Sequence, residues 1–279
     1  MKLSKISLVI SIILLSIAAI WFIKLNSKIK PCLGDRLGCL YDENYNKLSN
    51  KAVEWWPGNK LDHQRPVVGA GALEEELKPY QAFYMGPDTK KIYLTFDEGS
   101  NDTYIKEIIG VLNKYNIKAT FFLCGHYIIS NPDLMLVLSS SNHSVGNHTY
   151  HHKDMPLLAS GTSYKEFVKE LQLNEEVYIN ITGVSMDKIY RPPRGSFSNR
   201  SLKIISDLGY STYFWSASYL DYEKDLSEQE ALTNMMKRYH NGAIYLLHAK
   251  NKGNYLALET FILNMLKLGY EFGLVRDIE

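Results

Sequence analysis

The sequence predicts an α/β fold in which parallel strands and helices form an incomplete (β/α)7 barrel, one unit short of eight. Three observations lead to this prediction. From residue 91 onward, short apolar runs alternate with helical segments, which is the pattern of a parallel sheet covered by helices. Reactive side chains stand where several predicted strands end, as they do at the catalytic rim of such barrels. The chain of 279 residues is 46% hydrophobic, which is enough for one large domain with its own core.

Seven predicted strands and six predicted helices alternate along this part of the chain. The strands are Lys91–Phe96, Ala119–Cys124, Ser144–Thr149, Ile189–Arg191, Ser211–Ser216, Ala243–His248 and Phe272–Val275. The helices are Asp102–Tyr115, Pro132–Ser139, Tyr164–Ile179, Arg200–Leu208, Glu228–Tyr239 and Tyr255–Leu268. Gly209 and Gly269 directly follow two of these helices, where C-caps are expected. We expect Ser100 or Asn101 to cap the first helix.

The N-terminal 30 residues differ in charge from the rest of the chain. They hold five lysines and no acidic residue, whereas the remainder carries 26 basic against 30 acidic side chains. The formal net charge of +1 therefore hides a mildly acidic main part. An acidic surface argues against binding to a phosphate backbone, so we expect no nucleic-acid partner.

An apolar run, Ile6–Ile23, precedes the predicted fold and is interrupted only by three serines. Its 18 residues are enough to span a bilayer, and no small-residue cleavage site follows them. We therefore expect a single-pass anchor in the cell membrane rather than a removed signal peptide, with Lys2 and Lys5 on the inner side. Secretion after cleavage of a signal peptide is the alternative.

The expected division of the chain is into a cytoplasmic tip and anchor at 1–24, a stem at 25–78 and an extracytoplasmic domain at 79–279. Within the stem, Cys32 and Cys39 close a short loop in which a disulfide is plausible outside the cell. Trp55 and Trp56 either form a platform for sugar rings or anchor an extended segment onto the core of the domain, and we favour the second interpretation. Cys124 ends a predicted strand and is expected to be a small buried core residue.

Two adjacent carboxylates, Asp97 and Glu98, end the first predicted strand in the run YLTFDEGSN. Two histidines four residues apart, His148 and His152, lie at the end of the third predicted strand in NHTYHH. Neutral imidazoles are common metal ligands, and with Glu98 they would form a site of two histidines and one carboxylate that leaves positions open for water and substrate. His151 competes as a ligand, but the spacing favours His152. The alternatives are a polar turn for the acids and hydrogen-bonded loop histidines.

Arg191 opens the run RPPRG, in which two prolines fix the backbone and Gly195 allows a ligand to approach closely. Its planar guanidinium is suited to fixing a carboxylate, and a rigid turn is the alternative interpretation. His248 ends the apolar strand AIYLLH. A histidine there is more often a core residue, but this one is expected at the same rim as Asp97, where Asp221 could hold its imidazole.

Five motifs in this order resemble those of the polysaccharide deacetylases with NodB homology, carbohydrate esterase family 4, from about Tyr80 to the C-terminus. The matching stretches are TFDEG (Thr95–Gly99), HTYHH (His148–His152), RPPRG (Arg191–Gly195), Asp221–Tyr222 and Leu246–His248. The sequence departs from the family at two positions, with Glu98 for an aspartate and Tyr222 for a tryptophan. Within the family, the stretches AFYMG, RPPRGSFS and GAIYLLH most resemble the sporulation branch, the deacetylases that form muramic δ-lactam.

The resemblance implies roles for the residues at the rim. Asp97 would be the general base acting on a water molecule, and Arg191 would orient it and keep it ionised. His248, positioned by Asp221, would protonate the leaving amine. The backbone N–H of Arg194 would help to hold the oxyanion.

The resemblance also implies a cofactor and a substrate pocket. A divalent metal ion, zinc or another first-row cation, would be bound by Glu98, His148 and His152 and would polarise the acetamide carbonyl. The residues expected to contact substrate are Arg194, Trp215, Leu246 and Tyr222. Of these, Trp215 and Leu246 would line the acetyl pocket, and Tyr222 alters one of its apolar walls.

The function implied is N-deacetylation of muramic acid in the peptidoglycan of the spore cortex, after an amidase has removed the stem peptide. The freed amine would then close on the lactyl carboxylate as a lactam. One alternative is a deacetylase of N-acetylglucosamine in peptidoglycan or in chitin-like oligomers, although the charge of Arg194 suggests an anionic substrate. The other alternative, from a different class, is a non-catalytic glycan-binding relative.

Overall fold

The structure is a computed structural model that describes residues 43–58, 63–67, 74–99, 104–160, 164–223 and 225–278. Within these ranges, no helix is both long enough and apolar enough to cross a membrane. The expected anchor, the cysteine pair of the stem and the predicted cap at Ser100 or Asn101 all lie outside the described residues. They therefore stay predictions.

Ten short strands and nine α-helices make up the described part of the chain. The strands are β1 Val53–Glu54, β2 Ala82–Phe83, β3 Lys91–Glu98, β4 Thr120–Leu123, β5 Ser144–Asn147, β6 Ile189–Tyr190, β7 Ser196–Phe197, β8 Ser211–Tyr213, β9 Ala243–Leu247 and β10 Glu271–Phe272. The helices are α1 Glu74–Leu77, α2 Ile105–Lys114, α3 Gly125–Ser130, α4 Pro132–Ser139, α5 Met155–Leu158, α6 Tyr164–Thr182, α7 Asn199–Asp207, α8 Glu228–Met236 and α9 Lys252–Lys267. Single 3-10 turns cover Glu43–Lys47, Lys78–Tyr80, Pro193–Gly195 and Val275–Asp277.

The main sheet has eight strands in the order β10–β3–β4–β5–β6–β8–β2, with β9 also paired to β3. Every pairing in it is parallel, as the alternation of strands and helices predicted. Isolated bridges join Met85 to Ala243 and Ala217 to Tyr245, so the segments next to the two ends of the sheet meet. The predicted α/β fold, an incomplete parallel barrel, is confirmed. The sequence missed β2, which has only two residues.

All six predicted helices are present, with ends that differ by up to three residues. Gly209 and Gly269 adopt the left-handed conformation, with φ of 82° and 79°, and end their helices as predicted. Helix α9 begins three residues earlier than predicted because the side chain of Asn251 accepts a hydrogen bond from the backbone N–H of Gly253. The short helix α3 was not predicted, since six residues before a proline are too few to show a helical period.

The strand β3 shows how the barrel separates its core from its site. Ile92, Leu94 and Phe96 belong to the hydrophobic cluster shared with the outer helices, whereas Tyr93 belongs to a second cluster. Successive side chains of a strand point to opposite faces of the sheet. The odd-numbered positions, ending in Asp97, therefore face away from the helical layer, and Glu98 lies on the same face as Phe96.

Part of the predicted stem packs on the barrel. Strand β1 pairs antiparallel with β7, and the next residue, Trp55, is only 3% exposed. Its indole N–H donates to the backbone carbonyl of Trp215 at 2.9 Å, and its ring stacks on Phe214 at a centroid distance of 4.7 Å. Trp55 is therefore the anchor that we expected, whereas Trp56 is 53% exposed. The position of the boundary between the stem and the domain stays a prediction.

We expect Trp55→Ala to lower the free energy of unfolding by about 3–5 kcal/mol, because it empties a large buried site and removes a hydrogen bond. Trp56→Ala is the matched control and should change the free energy of unfolding by less than about 0.5 kcal/mol, since its side chain is largely exposed. Urea denaturation followed by circular dichroism measures both values. Equal losses in the two variants would show that Trp55 does not anchor the segment.

Candidate active site

Three reactive side chains stand directly after the ends of neighbouring or facing strands. His148 follows β5, Arg191 follows β6 and His248 follows β9. Because parallel strands end at one rim, these residues converge there with Asp97, the second-last residue of β3. The predicted strands that contain His148, Arg191 and His248 were one or two residues too long at this rim, whereas β3 extends two residues beyond its predicted end at Phe96.

A buried ion pair joins Arg191 to Asp97. The Nη1 of Arg191 donates to Oδ1 of Asp97 at 2.7 Å, and the arginine side chain is fully buried. Its other donors are also used, by the Oγ1 of Thr95 at 2.7 Å and by the carbonyls of Tyr213 at 2.9 Å and Phe214 at 3.0 Å. The guanidinium is thus held in one orientation by four hydrogen bonds, as its planar fork allows.

This pairing sets the charge of Asp97. Burial alone would raise the pKa of its carboxyl group, but the charge and the hydrogen bond of Arg191, together with the imidazoles of His148 and His248, outweigh burial and hold the pKa below its ordinary value of 3.8. Asp97 is therefore ionised at neutral pH. Its second oxygen, Oδ2, lies 3.6 Å from Nε2 of His148 and does not contact the arginine. This oxygen is positioned to accept a proton.

The two predicted histidine ligands lie side by side. His148 is buried, and its Nδ1 lies 2.8 Å from the backbone carbonyl of Arg191. A carbonyl can only accept, so Nδ1 carries the proton and Nε2 keeps a lone pair. The left-handed backbone of Thr149 and His152, with φ of 65° and 57°, turns the chain so that the rings of His148 and His152 come within 4.9 Å.

His151, the competing ligand, is turned away from this pair. Its Nδ1 lies 2.7 Å from Oε1 of the buried Glu170, and its backbone N–H donates to Oε2 of the same carboxylate at 2.8 Å. The ammonium of Lys153 also lies 2.9 Å from Glu170. No pattern in the sequence indicates this use of Glu170, which stands on α6, 19 residues after His151. The structure thus pairs His148 with His152, as the spacing favoured.

Glu98 does not join the two histidines. Its side chain lies on the other face of β3, where Oε1 accepts a hydrogen bond from the backbone N–H of Ala249 at 2.8 Å. Burial raises the pKa of this carboxyl group to about 8. The prediction overlooked the alternation of side chains along a strand, which sends adjacent carboxylates to opposite faces. Among the described residues, no three acidic, cysteine or histidine side chains are grouped as a metal site.

The two imidazoles nevertheless suit two positions of a divalent cation. Burial lowers the pKa of both His148 and His152, the latter to about 4, so both are neutral at physiological pH. A neutral imidazole whose other nitrogen is bound to a carbonyl is the usual form of a metal-ligating histidine. The residues therefore fit a cation held by two nitrogens, without Glu98 as the third ligand in the observed conformation.

His248 and Asp221 form a second polar pair at the rim. The Nδ1 of His248 lies 2.7 Å from Oδ1 of Asp221, and the backbone N–H of His248 donates to Oδ2 at 2.8 Å. Burial would lower the pKa of His248, but the hydrogen bond and the charge of Asp221 outweigh it, and the pKa lies above its ordinary value of 6.5. The predicted pairing of these two residues is what the structure shows.

Two asparagines that the sequence analysis missed hold Asp221 in place. The side chain of Asn254 donates to Oδ2 of Asp221 at 2.6 Å and accepts from the hydroxyl of Tyr219 at 2.7 Å. Asn251 donates to the backbone carbonyl of Asp221 at 3.0 Å. Both stand about 30 positions after Asp221 at the start of α9, and no sequence pattern relates residues so far apart.

The four predicted substrate contacts line one cavity of about 750 Å³, together with His248. Trp215 and Leu246 are nearly buried, and the ring of Tyr222 lies 5.3 Å from that of His248 at a steep angle. Arg194 is 60% exposed, and its Nη2 is 3.5 Å from Oδ2 of Asp154. The cavity thus combines apolar walls beside His248 with an accessible cation at its edge.

Sequence comparison with known proteins finds that this chain is similar to polysaccharide deacetylases. The sequence model of the polysaccharide deacetylase family matches residues 85–213. The chain is 37% identical over 234 residues to the peptidoglycan-N-acetylmuramic acid deacetylase PdaA of Bacillus subtilis, covering 83% of this chain and 87% of that protein. It is 28% identical over 214 residues to a peptidoglycan-N-acetylglucosamine deacetylase of Bacillus cereus, covering 74% of this chain and 97% of that protein.

Solved structures agree with the sequence comparison. The solved structure of Bacillus subtilis PdaA, described as a family 4 carbohydrate esterase, superposes with a TM-score of 0.78 at 36% identity, over 83% of this chain and 98% of that one. A family 4 carbohydrate esterase from Bacillus anthracis superposes with a TM-score of 0.67 at 33% identity, over 83% and 97% of the two chains.

We expect Asp221→Asn to lower the pKa of His248 by about one pH unit or more, because a neutral amide no longer stabilises the imidazolium. The protonated fraction of His248 at neutral pH then falls, since this pKa is raised in the native protein. NMR titration of the imidazole signals measures the change. Asp225→Asn, which neutralises an exposed carboxylate of the same loop, is the control and should leave the titration as it is. An unchanged pKa in Asp221→Asn would contradict the pairing.

Proposed function

The chain belongs to the polysaccharide deacetylases of carbohydrate esterase family 4, which are amide hydrolases, and we propose that it removes the N-acetyl group of N-acetylmuramic acid in peptidoglycan. The observation that carries the proposal is the pair of groups at one rim, a carboxylate bound to Arg191 and an imidazole bound to Asp221. Asp97 is held ionised by the buried Arg191, and Asp221 raises the pKa of His248 above its ordinary value, which favours the protonated imidazole. Phe96 and Leu247 are partners in the pairing of β3 with β9, so Asp97 and His248, which follow them, are neighbours at the rim.

Such a pair can hydrolyse an acetamide in two proton transfers. Asp97 accepts a proton from a water molecule as its oxygen attacks the carbonyl carbon and a C–O bond forms. His248 donates its proton to the nitrogen as the C–N bond breaks, which releases acetate and a free amine. The backbone N–H of Arg194 is the proposed donor to the oxyanion between these steps. Trp215 and Leu246 would enclose the acetyl methyl group and exclude water from it.

A divalent cation is the proposed cofactor, since enzymes of this family are generally metal-dependent. His148 and His152 would hold it through their free nitrogens, and the identity of the metal, zinc or another first-row ion, stays open. When bound, such an ion supplies Lewis-acid polarisation of a carbonyl. Arg191 accepts the Nδ1–H of His148 on its carbonyl and binds Asp97 with its side chain, so one residue orients both the base and a metal ligand.

The choice of muramic acid rests on charge and on similarity. The lactyl ether of muramic acid ends in a carboxylate, and Arg194 presents a largely exposed guanidinium at the edge of the cavity. Its contact with Asp154 is long, at 3.5 Å, so a substrate carboxylate can compete for it. PdaA, which is named for N-acetylmuramic acid, is 37% identical to this chain, whereas the Bacillus cereus relative described above, which is named for N-acetylglucosamine, is 28% identical.

The biological setting is part of the proposal. The lactyl carboxylate is free only where an amidase has removed the stem peptide, so the enzyme would act after such an amidase. The amine released beside that carboxylate can close on it as a δ-lactam, the modification of spore cortex. Peptidoglycan lies outside the cytoplasmic membrane, and the apolar run Ile6–Ile23 would either anchor the catalytic domain there or export it.

The substrate preference can be measured as acetate release. A charge-assisted hydrogen bond from Arg194 is worth at least about 1.5 kcal/mol, which corresponds to about tenfold in rate. Peptide-free N-acetylmuramoyl glycans should therefore be deacetylated at least about tenfold faster than peptide-substituted glycans or chitin oligomers. Arg194→Ala should narrow this difference, whereas Arg276→Ala, which removes an arginine outside the cavity, should not.

The variant Asp97→Asn tests whether the measured turnover comes from this site. Its rate should fall by about 10²–10⁴-fold, because an amide cannot accept the proton. Equal rates of the unaltered protein on all three substrates would instead favour a general N-acetylglucosamine deacetylase. Turnover that survives Asp97→Asn would show that the activity arises elsewhere.

We expect chelation to remove a bound metal and to abolish acetate release, and added zinc or another first-row ion to restore it. His152→Ala should weaken metal binding at least about tenfold, because it removes one of two nitrogen ligands. His151→Ala is the matched control and should leave metal affinity unchanged, since that side chain is bound to Glu170. Elemental analysis of the dialysed proteins gives the metal content. Full activity in chelator, with no metal retained, would refute the metal assignment.

A further inference from the structure

A second cavity, the basal cavity, lies at the end of the barrel opposite the candidate active site. Lys118 stands just before β4, His143 just before β5 and Asp187 just before β6, whereas His148 and Arg191 follow the other ends of β5 and β6. The basal cavity shares no lining residue with the cavity at the rim. Its walls include Lys118, His143, Tyr178, Asp187 and Arg276.

His143 contributes a buried hydrogen-bond donor to the basal cavity. Its side chain is 7% exposed, and its Nδ1 accepts a hydrogen bond from the backbone N–H of Ala119 at 3.2 Å. Burial lowers the pKa of the imidazole to about 4, so the ring is neutral at physiological pH and carries its one proton on Nε2. Within the part of the chain that the structure describes, this Nε2 has no hydrogen-bond partner. Buried donors are nearly always paired, so a ligand that offers an acceptor here would satisfy it.

The charged groups around the basal cavity leave one positive charge unbalanced. The Nη1 of Arg276 donates to both carboxylate oxygens of Asp187, at 2.9 and 2.7 Å, so these two charges compensate each other. Lys118 is exposed and has no acidic partner among the described residues. Burial and the neighbouring Asp187 raise the pKa of Tyr178 to about 12, so its hydroxyl keeps its proton and can donate. The free groups of the cavity are thus donors and a cation, which suit an anion with oxygen acceptors.

We propose that the basal cavity is a binding site for a phosphate group. Lys118, His143 and Tyr178 come from three separate segments, and donors that approach from different directions match a tetrahedral oxyanion. A lysine ammonium is a point charge that commonly binds phosphate, whereas a planar carboxylate is best matched by a free arginine fork, and Arg276 is already bound to Asp187.

The size of the basal cavity fits this ligand, and the site is independent of the proposed deacetylase function. The volume of about 230 Å³ is several times the roughly 30 Å³ that one water molecule occupies in the liquid. The cavity therefore has room for a phosphate with a small group attached. Free phosphate and the phosphate ester of a lipid headgroup share the required chemistry.

Isothermal titration calorimetry of the full chain in detergent, with inorganic phosphate and with glycerol 3-phosphate, tests the site. We expect saturable binding that Lys118→Gln weakens at least about tenfold, because it removes a charge-assisted hydrogen bond. His143→Asn should also weaken binding, since its amide can still accept from Ala119 but has no group in place of Nε2–H. Lys106→Gln, which neutralises an exposed lysine of α2 outside the cavity, is the matched control and should leave the affinity unchanged.

The two probes distinguish the sources of the phosphate. Comparable affinity for both would assign an esterified phosphate such as a lipid headgroup, and binding of inorganic phosphate alone would assign the free ion. The site is overturned if neither probe binds saturably, or if Lys106→Gln weakens binding as much as Lys118→Gln. Loss of binding in His152→Ala but not in Lys118→Gln would likewise overturn it, since the phosphate would then lie at the rim. Lys118 is exposed, so Lys118→Gln decides the question even if His143→Asn fails to fold.

Discussion

The ion pair between Arg191 and Asp97 is the interaction on which the site and much of the barrel depend. A guanidinium removed from water must have its charge and its donors satisfied, and here partners on β3 and at the end of β8 do so. The ring of Phe122 adds a contact at 4.3 Å from the guanidinium carbon. Because Arg191, which follows β6, binds both β3 and the end of β8, the relative positions of these three strands and the ionised state of Asp97 are fixed together. Loss of either partner would leave an unpaired charge in the interior of the barrel.

The two acids at the end of β3 show how strand geometry assigns different chemistry to adjacent residues. Asp97 faces Arg191 and has a lowered pKa, whereas Glu98 faces the backbone of Ala249 and has a pKa raised by burial. Both carboxylates are buried to a similar degree, so burial does not distinguish them. The distinction comes from a cation on one face and a single amide donor on the other. Glu98 is consequently connected to the segment that carries His248 and not to the histidine pair.

Most of the fold could be predicted because its signals are local. The β-branched and aromatic runs mark the strands, the glycines at 209 and 269 mark the ends of helices, and residues that follow strand ends meet at one rim. The pairing of His248 with Asp221 could be predicted because both stand at that rim. The face of β3 on which Glu98 lies depends on which residues of the strand point into the core. The role of Asn254 depends on its contact with Asp221, which is 33 positions away in the chain. The exposure of Trp56 beside a buried Trp55 likewise depends on the pairing of β1 with β7, which no local pattern reveals.

Three side chains around the cavity and the histidine pair, Thr149, His152 and Arg194, have backbone φ values of 65°, 57° and 57°. Non-glycine residues in this region are strained, and a β-branched residue such as Thr149 most of all. The rest of the barrel must therefore be stable enough to hold these turns in an unfavourable conformation. Substitutions that relieve the strain, such as glycine at these positions, would make the chain easier to fold and would loosen the arrangement of ligands and cation around the substrate. Substitutions at these three positions would therefore raise thermal stability and lower turnover. Substitutions that stabilise the protein without lowering turnover are expected on the outer helices instead.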